Sequence, residues 1–157
     1  GSLQSKRSQC ACCSCLDNGA VWEDACVEFF SIPAGDGIYY NVECNCDGIL
    51  LIGAGAGREN REHAPQEVMD KVQRWSSLGR QSFEERVGEC NWELALVIPY
   101  SAFFKHQITS LDGKTVRANF YKCGDKLQTP HFLSWNPIAL EKPNFHCPEF
   151  FGTLNFE

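Results

Sequence analysis

Short runs of alternating residues, each ended by a glycine- or proline-bearing turn, constrain this chain more than any other feature of it. A period of two sends neighbouring side chains to opposite faces of an extended strand, whereas a helix needs apolar residues three and four apart. The pattern is plain before Pro99: Trp92, Leu94, Leu96 and Ile98 share one face, and Glu93, Ala95 and Val97 the other. Val21 to Ile32 reads as a strand that stops at Pro33, and Ala34-Gly35-Asp36-Gly37 supplies a turn. Ile38 to Cys46 is then the return strand, Asp47-Gly48 a tight turn, and Ile49 to Ile52 a third antiparallel neighbour. Further strands are expected over Thr115 to Cys123, His131 to Trp135 and Gly152 to Phe156.

Two segments break the pattern. Pro65 to Trp75 spaces Val68, Val72 and Trp75 by four and three, which predicts a helix with Pro65 in its first turn. Gly53 to Gly57 alternates glycine with alanine, but no Gly-Lys-Ser/Thr follows and no βαβ context surrounds it, so a flexible strand exit is expected in place of a phosphate loop. Many short strands and one helical excursion predict an all-β fold: an antiparallel β-sandwich, immunoglobulin-like or jelly-roll-like, with one short helix and long loops. A length of 157 residues suits one such domain over 1–157, with residues 1–15 an atypical cysteine-rich start.

Charge and composition remove several partners. A net charge of −6 repels phosphate backbones, and the 14 Lys and Arg form no basic stripe, so nucleic acid is excluded as a partner. No stretch reaches the roughly 20 apolar residues a membrane span needs. Gly1-Ser2 has the look of a tag remnant, which leaves a periplasmic or extracellular location open.

Of the ten cysteines, Cys26, Cys44, Cys46, Cys90, Cys123 and Cys147 are spread through strand-like sequence and are expected as reduced packing residues. Cys10, Cys12, Cys13 and Cys15 make overlapping Cys-x-x-Cys pairs, yet no second ligand pair stands at zinc-site spacing. His131 and His146 belong to no ligand motif and are expected in turn or packing roles. Met69, the sole methionine, sits in the helical segment, which disfavours haem. No cofactor is expected; calcium stays open through Asp24, Asp36 and Asp47, whose spacing matches no defined calcium loop.

A sugar ring offers an apolar C–H face and a rim of hydroxyls, so its site needs aromatic planes beside fixed hydrogen-bonding groups. Trp22 and Glu28 have the same strand parity, and Arg117, Asn119 and Tyr121 form a polar row on one strand face. The segments Trp22-Glu23-Asp24-Ala25-Cys26-Val27-Glu28-Phe29-Phe30, Tyr39-Tyr40-Asn41-Val42-Glu43, Arg117 to Asp125 and Phe145 to Gly152 resemble bacterial carbohydrate-binding family 9-like domains. The resemblance runs from about Leu16 to the C-terminus. It implies a β-sandwich that binds a mono- or oligosaccharide without catalysis, in which Trp22 and Trp135 clamp the sugar. Glu28, Arg117 and Asn119 then bind hydroxyls, with Asn41 and Glu43 as weaker additions. It also implies that strands preceding this position in the family are missing.

Competing readings of the same residues remain at this point. Trp22 and Trp135 could equally fill the core, as Trp75 and Trp92 are expected to do. Glu28 and Arg117 could pair across strands. A glycoside hydrolase using Glu28 with a second carboxylate is the enzyme alternative, and a structural docking module the third.

Overall fold

The computed structural model describes residues 16–157, so the Cys10–Cys15 cluster lies outside the described residues. After a single 3-10 turn at Val21–Glu23, the chain forms β1 (Cys26–Ile32), β2 (Tyr39–Asn45), β3 (Leu50–Gly55) and β4 (Glu62–His63). A short helix α1 (Gln66–Met69) leads into β5 (Gln73–Ser76) and β6 (Leu94–Val97). Then come β7 (Thr115–Gly124), β8 (His131–Ser134) and β9 (Gly152–Asn155). The larger sheet has seven strands in the order β4-β3-β2-β1-β7-β8, with β9 also on β7, and every pairing is antiparallel. β5 and β6 form a separate two-stranded layer. The molecule is an all-β sandwich.

The turns hold because their residues satisfy the local backbone. At Asp47-Gly48 the Asn45 side-chain oxygen accepts the N–H groups of Asp47 and Ile49 at 3.2 and 2.8 Å. Gly48 takes the positive φ of 80° that an L-residue adopts only with strain.

Register decides what each face of the large sheet carries. Partners directly opposite each other project to the same side, so Glu28 shares a face with Glu43 and Tyr121, and Phe30 with Asn41 and Asn119. The other face carries Phe29, Val42, Ile52 and Phe120. There Val42, Cys44, Leu50 and Ile52 pack beneath Val68, Met69, Val72 and Ala102, with Leu94, Leu96 and Ile98 of the small layer joining them. A bidentate ion pair from Arg74 on β5 to Asp17, at 2.6 and 2.7 Å, ties the small layer to the segment before β1. The Arg74 guanidinium also donates to the Gly48 carbonyl.

Four expectations are corrected. The helix covers Gln66–Met69 and does not reach Trp75. Its last turn tightens into bonds from Lys71 N–H to the Val68 carbonyl and from Val72 N–H to that of Met69. Gln73–Ser76 then pairs with β6, and this tertiary pairing overrides the helical spacing. Trp75 consequently faces outward, 55% exposed, and is no core residue, whereas Trp92 is buried. Gly53 to Gly55 continue β3 as regular strand and only Gly57 lies in the turn. Finally, Cys46 is disulfide-bonded, while Cys26, Cys44, Cys90, Cys123 and Cys147 are free thiols.

Candidate functional site

The face bearing Glu28 is covered only in part. At one end the segment 136–151 folds back over it and builds an aromatic cluster: Phe30 lies against Tyr39, Tyr121, His146 and Phe151, and Phe145 stacks on Tyr121 with ring centroids 4.1 Å apart. At the other end a cavity of about 460 Å³ stays open, within the range of small-ligand sites. Its floor is Glu28, Asn41, Glu43 and Cys123 from β1, β2 and β7. Its walls include Trp22, the β3–β4 hairpin with Arg58, Arg61 and His63, and the Asn144-Phe145-His146 stretch with Phe132.

The floor is buried and acidic. Glu28 and Glu43, 5% and 4% exposed, sit directly opposite each other on β1 and β2. Burial raises the Glu28 carboxyl well above its ordinary range, and the neighbouring Glu43 and Cys123 add to the effect. Burial lifts Glu43 to about 7, against the opposing pull of the Asn41 amide and the Arg61 guanidinium. Carboxyls that keep a proton near neutrality can donate as well as accept, which suits hydroxyl partners. Asn41 donates to Glu43 Oε1 at 2.8 Å, and the Cys123 thiol donates to Glu28 Oε1 at 3.0 Å.

The walls are held rigidly. Arg61 donates from Nε and Nη2 to Asn41 Oδ1 at 3.0 and 2.8 Å and from Nη2 to the Tyr39 carbonyl, with its guanidinium 4.0 Å from the centre of the Tyr39 ring. Gly53 makes this possible, because a Cβ there would lie 2.6 Å from Asn41 Oδ1. His146 is half-buried, and that burial, with Arg61 and Arg58 nearby, lowers its pKa to about 4. Burial also raises the Tyr39 phenol, so Tyr39 keeps its proton and donates to His146 Nδ1 across 2.8 Å. The neutral imidazole then carries its own proton on Nε2.

Of the seven residues expected from sequence, Trp22, Glu28, Asn41 and Glu43 line this one cavity. Trp22 is 39% exposed and offers a ring face. Arg117, Asn119 and Trp135 do not line it. Arg117 donates from Nη2 to the carbonyls of Pro148, Glu149 and Phe151, at 2.9, 3.2 and 3.0 Å, which also replaces any pairing with Glu28. Asn119 is fully buried and exchanges two hydrogen bonds with the Asn136 backbone. Both therefore pin down the segment that carries Phe145 and His146. Trp135, 54% exposed, lies edge-on against Phe120, whose register puts it on the opposite face from Glu28. The two tryptophans form no clamp.

Arg58, Arg61, His63, Phe132 and Phe145 line the cavity without being among the residues expected from sequence, and His146, expected in a turn or packing role, joins them. Phe132 has the parity of Cys123, its partner across β7 and β8, and that alternation was the one signal available. The loop residues enter through chain reversal, which no local pattern announces.

A family model for carbohydrate-binding family 9 matches residues 4–156. The fold also matches a crystal structure of a presumptive carbohydrate-binding protein from Bacteroides uniformis, with a TM-score of 0.93 and 63% identity. That match covers 99% of this chain and 71% of the other. None of the curated proteins matches the chain.

Proposed function

Because the chain belongs to carbohydrate-binding family 9, we propose that it is a non-catalytic module that seats a mono- or oligosaccharide in the cavity floored by Glu28 and Glu43. The observation that carries this reading is the pairing of half-exposed aromatic faces, Trp22 and Phe132, with a buried row of hydroxyl-matching groups in one open cavity. Apolar C–H faces of a sugar stack on such rings, while Glu28, Glu43, Asn41 and the His146 Nε2–H address its hydroxyls. Arg117 and Asn119 act at one remove, by holding the 136–151 segment in place.

Glycoside cleavage uses two carboxyl groups on either side of the scissile bond. Glu28 and Glu43 project in the same direction from neighbouring strands, so the hydrolytic alternative is tested by turnover: no release from chromogenic glycosides by the folded chain is expected.

Calorimetry of the full chain against a glycan panel tests the reading. We expect a ligand whose affinity falls at least tenfold in Trp22→Ala and stays unchanged in Trp135→Ala. Absence of binding to every glycan by the folded chain overturns the function, and loss of binding in Trp135→Ala alone overturns the site.

A further inference from the structure

At the cavity floor Glu28 meets two thiols that the sugar reading leaves without a role. Cys26 and Cys123 are direct cross-strand partners on β1 and β7. Both are free thiols and both are buried. With Glu28 they place two sulfur atoms and a carboxylate oxygen all within 4.8 Å of one another. We propose that Cys26, Cys123 and Glu28 bind a zinc-class divalent cation at the base of the cavity, beside Glu43, the cross-strand partner of Glu28.

Four observations converge on this site. The ligand set is right in kind, since two thiolates with hard oxygen donors select zinc over calcium or magnesium. The spacing is right in size: a tetrahedral ion with bonds of roughly 2.0 to 2.3 Å needs ligand atoms about 3.5 to 3.8 Å apart. Cys123 Sγ and Glu28 Oε1 stand at 3.0 Å, so ion entry requires a separation of only about half an ångström more.

Glu43 supplies the independent sign of a missing partner. It is buried directly across from Glu28, and while Oε1 is held by Asn41, Oε2 has no hydrogen-bond partner among the described residues. A buried carboxylate oxygen left without a partner is costly, and a cation removes that cost. Charge points the same way. The strongest electrostatic neighbours of Glu28 are Glu43, Cys123 and Asp125, which are all acidic. Arg61 does not fill the gap, because its guanidinium is committed to Asn41 and to the carbonyls of Tyr39 and Gly57. Binding balances as the release of the thiol and carboxyl protons into solvent with no change of oxidation state.

The test is metal uptake by the reduced full chain, read without any glycan, so that it fails or succeeds apart from the sugar reading. With Co²⁺ as probe, we expect a thiolate-to-cobalt charge-transfer band that Zn²⁺ displaces. Cys26→Ser and Cys123→Ser each remove one equivalent of bound Co²⁺, while Cys90→Ser, at a half-buried thiol elsewhere, retains it. Counting equivalents lost separates this site from any uptake at Cys10 to Cys15. Glu28→Gln keeps the side-chain volume and weakens the affinity at least tenfold, and it carries the test if the serine variants do not fold. Full stoichiometry in a folded Cys123→Ser, unchanged affinity in Glu28→Gln, or a Cys26–Cys123 disulfide in peptide mapping of the native chain overturns the proposal.

Discussion

The two faces of the large sheet carry cavities of nearly equal size and opposite chemistry. One, about 460 Å³, has Glu28, Glu43 and Asn41 on its floor; the other, about 500 Å³, lies between the sheet and the small β5–β6 layer and is lined by Phe29, Val42, Leu94, Leu96, Ile98 and Phe120, among others. Glu28 and Phe29 are adjacent in sequence, yet one turns to the acidic cavity and the other to the apolar one, because strand side chains alternate. Volume therefore says little about what a cavity holds. The polar face has its buried carboxyls, a rigid arginine and partly exposed rings, whereas among the described residues the apolar face has no comparable row of directed donors, and its cavity is a gap between packed layers.

The sharpest way to break this contrast is at Phe30, which anchors the aromatic cluster closing the far end of the polar face. Phe30→Ala removes a fully buried ring, and we expect a loss of about 3–5 kcal/mol in urea unfolding. A much smaller loss would mean that segment 136–151 is not held by that cluster.

Acid should act through the same end of the polar face. His146 is neutral in the fold with a pKa of about 4, below its ordinary 6.5. Its contribution is therefore complete above pH 6.5 and is lost as pH falls toward 4, up to about 3 kcal/mol. His146→Asn should flatten the stability profile between those pH values, measured by chemical denaturation at each pH.

Gly53 tests the floor. Gly53→Ala drives a methyl group against Asn41, and with Asn41 displaced both Arg61 and Glu43 lose a partner. We expect about 1–3 kcal/mol of lost stability, the usual cost of buried polar groups left unpaired, together with weaker glycan binding by calorimetry.

The smallest effect belongs to the apolar side. Phe120 is partly exposed and packs on Phe29 and Trp135; Phe120→Ala should cost about 1 kcal/mol, as only part of the ring's burial is lost. Glycan affinity should not change. If it falls as in Trp22→Ala, the two faces are not functionally distinct.

Alternation made most of the strands legible beforehand. The β1–β2–β3 meander, β7 and β9 appear with boundaries shifted by a few residues, because each run carries its own period and its own turn. The stretch from Val68 to Trp75 was misread for the complementary reason: its spacing permits a helix, but Gln73–Ser76 gains more by pairing with β6, a partner some twenty residues away. Four of the seven expected site residues met in one cavity because they share strand parity or lie at a strand's entry. Arg117 and Asn119 share that parity too, yet they sit farther along β7, under segment 136–151, where their polar groups are consumed by its backbone.

What the sequence determined by itself is the two-sidedness of this protein. A period of two set Glu28 against Phe29 on β1, and Asn41 and Glu43 against Val42 on β2, before any packing is considered. Only the tertiary structure decided which part of the polar side stays open, because the 136–151 segment and the β3–β4 hairpin reach it from distant points of the chain. It likewise brought Cys26, Cys123, Glu28 and Glu43 together, since cross-strand register is set by strand order and turn length, and neither thiol carries a local mark of its partner.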